Sequence, residues 1–158
     1  MIALITGASS GIGAATARRL AREPDATLVL VARREERLRA LARELPRATW
    51  VSADLVADDS PARVRAHLYS QHGGSIDLLV NNAGGAWHRR FGDAGHENVR
   101  KTMELNFDAV VRLTEALLPL LRSSAPSAIV NVASVGGRIA RVASGAYSAS
   151  KFRAGRLE

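Results

Sequence analysis

The sequence predicts an α/β protein: a doubly wound parallel sheet with helices on both faces. Three observations predict it. Short apolar runs alternate with helix-patterned segments along the whole chain. The runs are continuous rather than alternating apolar and polar, as strands covered on both faces require. The first run leads directly through a glycine-rich turn into a helix. The 158 residues suffice for one domain, 1–158, with its own core.

The elements follow in order. "IALIT" (2–6) is a short buried strand, and residues 11–22 form a helix behind the glycines. "ATLVLVA" (26–32) is the second strand. "REERLRALAREL" (34–45) is an amphipathic helix with Leu38, Leu41 and Leu45 on one face. "ATWVSA" (48–53) is the third strand, and Trp50 is expected in the core. Ser60 and Pro61 suit the N-cap and first position of a helix running to His72. The fourth strand lies in "IDLLVNNAGG" (76–85), which ends as a loop. A long helix covers 97–122, with Met103, Phe107, Val110, Thr114, Leu117 and Leu121 as its apolar stripe. "SAIVNVAS" (127–134) is the fifth strand, with Ser134 at its end. A last helix begins near Ser144.

Composition narrows the function classes. No window approaches the roughly 18 apolar residues of a membrane span. Cysteine is absent, which excludes disulfides and thiolate metal sites. His67, His72, His88 and His96 lack partners at metal-ligand spacing, so no metal is expected and surface roles are. No basic n-region precedes the first strand, and a cytoplasmic protein is the expectation. The net charge is +7; only Lys101 and Lys151 are lysines, so the positive charge is almost entirely arginine. The arginines are scattered, and no recognition motif accompanies them, which argues against nucleic acid.

"TGASSGIG" (Thr6 to Gly13) sits between the first strand and the first helix. Gly7 allows a tight turn, Gly11 lets the backbone approach a ligand, and Gly13 lets helix pack closely on strand. Helix-terminal N–H groups there suit a pyrophosphate. The spacing is G-x-x-x-G-x-G rather than the commoner dinucleotide fingerprint. With "NNAG" (81–84), "MELNF" (103–107), "VNVAS" (130–134) and "YSASK" (147–151), it resembles the short-chain dehydrogenase/reductase family. The five motifs stand in order on the matching elements.

The resemblance implies a Rossmann-like fold and a nicotinamide cofactor. It implies cofactor contacts at Gly7, Ser9, Ser10, Gly11, Ile12 and Gly13, and at Arg33 and Arg34. Further contacts fall at Asp54 and Leu55, at Asn81, Ala83 and Gly84, and at Tyr147 and Lys151. An acid after the second strand usually holds the adenosine ribose. Here Ala32 takes that place and Arg33 and Arg34 follow. An arginine grips a 2′-phosphate that a carboxylate would repel. NADP is therefore favoured over NAD. Ser10 stands where some NADP users carry a second basic residue. Asp54 matches the family's adenine-amide contact, or is a turn aspartate.

Tyr147 and Lys151 are four apart on a helix and share one face. Reducing a carbonyl by hydride needs a proton donor at the developing alkoxide. A free tyrosine titrates near 10, and a nearby ammonium stabilises its phenolate. The resemblance makes Tyr147 the general acid/base, with Lys151 holding the nicotinamide ribose. It gives Ser134 the substrate oxygen and Asn106 a water that links the lysine to solvent. Trp87 either touches substrate or packs.

In the family the Tyr/Lys helix leads on to a sixth strand, a substrate-covering segment and a seventh strand. Five strands are read here, so the expectation is an N-terminal portion of such an enzyme, its sheet truncated after the fifth strand. Self-association through the 97–122 helix and the C-terminal helix is expected. Three readings follow. One is an NADP-dependent oxidoreductase acting on a small carbonyl or secondary alcohol. The others are a nucleotide-binding module without turnover and a basic interaction protein on the same scaffold.

Overall fold

A computed structural model describes residues 1–139 and 141–156. Five parallel strands form one sheet in the order β3-β2-β1-β4-β5. They are β1 (Ile2–Thr6), β2 (Thr27–Ala32), β3 (Ala48–Ser52), β4 (Leu78–Asn81) and β5 (Ala128–Asn131). The chain winds outward from β1 to β3, then returns to the other side of β1 with β4. The carboxyl ends of β1 and β4 therefore part, which opens a crevice at the point where such sheets bind ligands.

Successive strand residues point to opposite faces, and each face has its own core. Ala3, Ile5, Leu28 and Leu30 face α1 (Gly11–Leu20) and α2 (Glu35–Glu44), together with Ala17, Leu38 and Leu41. Leu4, Val29, Val31 and Leu79 face the opposite way. They pack with Val64 and Leu68 of α3 (Ser60–His72) and Leu113, Leu117 and Leu121 of α5 (Ala109–Ser123). Doubly covered strands need apolar side chains on both faces, which is why their sequences are continuous.

The long helix departs most from expectation. A short helical turn precedes it within α4 (Phe91–Met103), and Gly95, with φ 47° and ψ −146°, separates that turn from the long helix, which starts close to the expected position. A single wide π turn (Glu104–Asp108) then separates α4 from α5. The extra residue shifts the buried seam. Thr102 and Asn106 are fully buried, whereas Met103 and Phe107 of the expected stripe are half-buried. Single π turns inside α-helices gather at functional sites.

Smaller differences have local causes. Ser134 does not end the fifth strand. β5 stops at Asn131, where β4 also ends, and Ser134 caps a short 3₁₀ turn (Val135–Gly137) instead. Ser60 does not cap α3; it is the first helical residue, and its hydroxyl donates to the Leu55 carbonyl. Trp50 is only half-buried, with the Arg39 guanidinium 5.6 Å over its ring. β5 is an edge strand, and Ile129 and Val130 are 40 % and 46 % exposed. Among the described residues, no helix is long and apolar enough to cross a membrane.

Candidate active site

A cleft of about 310 Å³ opens at the carboxyl ends of β1 to β4. Gly7, Ser9, Ser10 and Ile12 form its floor. Ala32, Arg33 and Arg34 close one end, beside Ala53, Asp54 and Leu55. Asn82, Ala83, Gly84 and Leu105 form the other wall.

The glycine turn is tied to the Asn82 segment by hydrogen bonds. Thr6 Oγ1 accepts from the N–H groups of Asn82 (2.9 Å) and Ala83 (3.0 Å). Asn82 Nδ2 donates to the Thr6 carbonyl at 2.8 Å. The fit leaves no room at Gly13, where a methyl group would lie 2.5 Å from both Asn82 Nδ2 and the Gly7 oxygen. At Gly11 the surroundings are open and φ is +55°, which keeps the backbone bare toward the cleft.

Ser10 occupies the N-cap of α1 in extended backbone but makes no capping bond. Its hydroxyl is taken by Arg34, whose Nη2 lies 2.7 Å away, while Arg34 Nε and Nη2 also reach Ser9 Oγ at 3.2 and 2.9 Å. Two consequences follow. The first N–H groups of α1 have no side-chain cap and can accept an anion. The guanidinium is held over the turn before any ligand arrives. A helix N-terminus, an adjacent arginine and two serine hydroxyls suit a phosphorylated dinucleotide. Arg33 also lines the cleft but makes no such bonds. Asp54 lines the cleft beside Ala53, and its Oδ1 accepts the Val56 N–H at 3.4 Å.

Asn81 stands apart from the expected contacts. It is buried, and its Nδ2 donates to Thr114 Oγ1 (3.1 Å) and Asn131 Oδ1 (2.9 Å). Its side chain braces β4 against β5 and α5, and its neighbours Asn82, Ala83 and Gly84 line the cleft.

The other four candidates converge from three elements. Tyr147 and Lys151 lie on α6 (Gly145–Ala154). A methyl group on Gly136 would lie 3.1 Å from Tyr147 Cε1 and 3.3 Å from Ser134 Oγ, so tyrosine and serine meet over that glycine. Ser134 Oγ accepts the Gly136 N–H at 3.0 Å, which leaves its own proton free to donate. On the cleft side, a methyl group on Gly84 would lie 3.0 Å from Asn106 Oδ1 and 3.2 Å from Lys151 Nζ. Both side chains thus flank the cleft wall. Lys151 and Ser134 also line a second depression of about 390 Å³.

Asn106 is fully engaged. Its Oδ1 accepts the Gly85 N–H at 2.8 Å, and its Nδ2 donates to the Gly85 carbonyl (2.9 Å) and Ser150 Oγ (3.0 Å). It locks the π turn, the 81–85 segment and α6 together. Ser150 completes the link by donating to the Tyr147 carbonyl at 2.8 Å. Lys151 is 8 % exposed and donates to the Val132 carbonyl at 3.0 Å. Burial pushes its ammonium below the usual lysine range.

Sequence reasoning did not single out Thr6, Asn82 and Ser150 as site residues. The first two lay inside quoted motifs, but their role is a contact between segments 76 positions apart. His67 and His72 are not simple surface groups either. Each ring's Nε2 lies 2.9 Å from the Thr49 hydroxyl. Burial depresses both imidazoles below their ordinary value, and His72 adds to the effect on His67. Trp87 packs against Gly85, with Lys101 Nζ 4.6 Å over its ring.

A crevice at the sheet's switch point, an arginine beside a glycine turn and a Ser-Tyr-Lys cluster meet on one parallel α/β scaffold. The chain belongs to the short-chain dehydrogenase family, whose model matches residues 1–157. An uncharacterized oxidoreductase of Staphylococcus epidermidis is 35 % identical over 152 residues, covering 95 % of this chain and 65 % of that protein. A short-chain dehydrogenase from Streptomyces avermitilis is 36 % identical with a TM-score of 0.89, covering 97 % of this chain and 57 % of that one. A metagenomic short-chain oxidoreductase, solved in complex with NADP, is 33 % identical with a TM-score of 0.90. It covers 98 % of this chain and 72 % of its own. The chain thus spans less than two thirds of the Staphylococcus relative.

Proposed function

We propose that the chain carries the cofactor cleft and proton-donating centre of an NADP-dependent reductase of small carbonyls, or dehydrogenase of the matching secondary alcohols. The observation that carries this reading is the pairwise convergence at one end of the cleft: Ser134 with Tyr147 over Gly136, and Asn106 with Lys151 at Gly84. Bound in the cleft, NADPH supplies a hydride. Arg34, Ser9 and the α1 N-terminus hold its phosphates, and Asp54 faces its adenine. Ser134 donates a hydrogen bond to the substrate oxygen, and Tyr147 delivers the proton to the alkoxide as it forms. Lys151 stabilises the phenolate left behind and holds the nicotinamide ribose. Asn106 fixes the distance between that lysine and the cleft wall.

A second reading is nucleotide binding without turnover. It draws on the glycine-turn end of the cleft, which Arg34, Ser9 and Ser10 assemble without the Tyr147 end. One experiment separates the two. The chain is titrated with NADPH by fluorescence, then assayed for NADPH consumption over a panel of ketones, aldehydes and keto acids. Binding with consumption supports the first reading, and binding without it the second. No binding overturns both.

A further inference from the structure

The stretches that carry Gly84, Ser134, Tyr147 and Lys151 contain no carboxylate, whereas the turn that carries Asn106 holds Glu104 and Asp108. Aspartate and glutamate are absent from residues 78–92 and from residues 116–157. These stretches supply the cleft wall at Gly84, the 85–90 loop, Ser134, Tyr147 and Lys151. They also carry Arg89, Arg90, Arg138 and Arg141, all exposed.

The fold brings the segments that carry these arginines to one rim. His88 Nδ1 lies 3.1 Å from Ser144 Oγ, which joins the 85–90 loop to the start of α6. The His88 ring stands edge-on to Tyr147, with centroids 5.8 Å apart. Arg89 and Arg90 follow His88 directly. The Arg141 carbonyl accepts the Ser144 N–H at 3.1 Å, so Arg141 belongs to the same turn. Arg138 lines the depression that holds Ser134 and Lys151.

Several arginines elsewhere are neutralised. Arg18 pairs with Glu44, Arg19 with Glu23, Arg39 with Glu35 and Arg112 with Asp58. Among the described residues, none of the four rim arginines has an ion pair. The cofactor's phosphates do not account for them, because Arg34 and α1 meet those at the cleft's other end. A rim of one sign beside a reacting centre raises the local concentration of oppositely charged ligand and speeds its arrival.

We propose that the substrate of this site carries an anionic group, a carboxylate or a phosphate, next to its carbonyl, and that the rim arginines draw it to Tyr147. This rests on the reductase reading above and adds the substrate's class. The test uses acetoacetate and its neutral ethyl ester as probes, titrated by calorimetry and NMR with and without NADPH. Acetoacetate is expected to bind at least ~10-fold tighter than the ester at low ionic strength. The advantage should fade as salt rises to ~0.5 M. It should also vanish in the Arg89→Glu/Arg90→Glu/Arg141→Glu variant, whose fold is checked by circular dichroism. The proposal is overturned if the ester binds as well, or if the preference survives salt or charge reversal. Binding of neither probe while NADPH titrates normally overturns it too and leaves the cofactor reading standing. Failure of NADPH itself to bind marks failure of the function reading instead.

Discussion

The cleft has two ends, and they are built in opposite ways. The end proposed for the phosphates is local: a glycine turn, the helix it opens and the arginine at the start of the next helix. Its grip is assembled before any ligand binds, because Ser9 and Ser10 already hold Arg34. The catalytic end is assembled from afar. Ser134 comes from a turn after β5, Tyr147 and Lys151 from α6, and Asn106 from a π turn in another helix. Hydrogen bonds from Asn106 tie the π turn, the 81–85 segment and α6 together. Binding and chemistry should therefore fail separately. Damage at the phosphate end should show as lost affinity, and damage at the catalytic end as lost rate.

The sharpest break comes at Tyr147. Tyr147→Phe keeps the ring packed on Gly136 and removes only the proton donor. Turnover should fall ~10²–10⁴-fold with NADPH affinity unchanged, as read by NADPH consumption and fluorescence titration. A near-normal rate would move the acid role to another residue.

Arg34→Ala tests the opposite end. A charge-assisted bond contributes about 1.5–3 kcal/mol, so NADPH should bind roughly ten- to a hundred-fold more weakly. NADH should change little. Arg33→Ala should do less, since only Arg34 is already held in place. Equal losses for both cofactors would point to a disturbed fold rather than a lost phosphate grip.

Gly13→Ala and Asn106→Ala compare the two ends on stability. The added methyl at Gly13 has no space and overpacks the turn, at a cost of about 1–3 kcal/mol. Asn106→Ala strands the half-buried Gly85 backbone groups, and each fully buried unsatisfied group costs about 1–3 kcal/mol, an upper bound here. Urea unfolding reads both. Asn106→Ala should also lower turnover more than NADPH affinity, and the reverse order would erase the distinction between the ends.

The smallest effect lies outside both. His67 and His72 share Thr49, and both imidazoles titrate below their ordinary value of 6.5 in the folded chain. The unfolded chain takes up protons first. Stability from this pair is complete above about pH 6.5 and declines as pH falls through the lowered folded values. Urea midpoints from pH 7 to pH 5 should fall, and the His67→Gln/His72→Gln variant should flatten the slope. NADPH binding should not track that slope if the cleft is independent of β3's far edge.

The phosphate end was almost wholly legible in the sequence, because its parts are neighbours and the motif carries its own context. The parallel sheet covered on both faces followed from the continuous apolar runs. The catalytic residues were legible as types, but only through resemblance. Their supports were not. Ser150 reads as one more small helical residue, and Thr6 as the end of a strand. Periodicity also misplaced the seam of the long helix, because it assumes 3.6 residues per turn throughout. Nothing in "MELNF" betrays the extra residue. The histidine pair escaped because its shared partner lies on another element, 18 and 23 positions away.

That extra residue has one more consequence. In an α-helix each residue advances the side chains by about 100°. The five residues of the wide turn accommodate one extra residue between two helices with different loyalties. α5 is keyed to the sheet through Leu113, Leu117 and Leu121, while α4 carries the segment beside the 85–90 loop. Deleting one residue within 104–108 would straighten the helix and keep its length nearly the same. Because the wide turn absorbs the extra residue, α4 and α5 would keep their relative phase, while the side chains left within 104–108 would be redistributed around the turn. The sheet would still find its seam, and Asn106 would swing away from Gly85 and Ser150. A single-codon deletion there should therefore spare the fold and uncouple the catalytic end, a lesion of register rather than of chemistry.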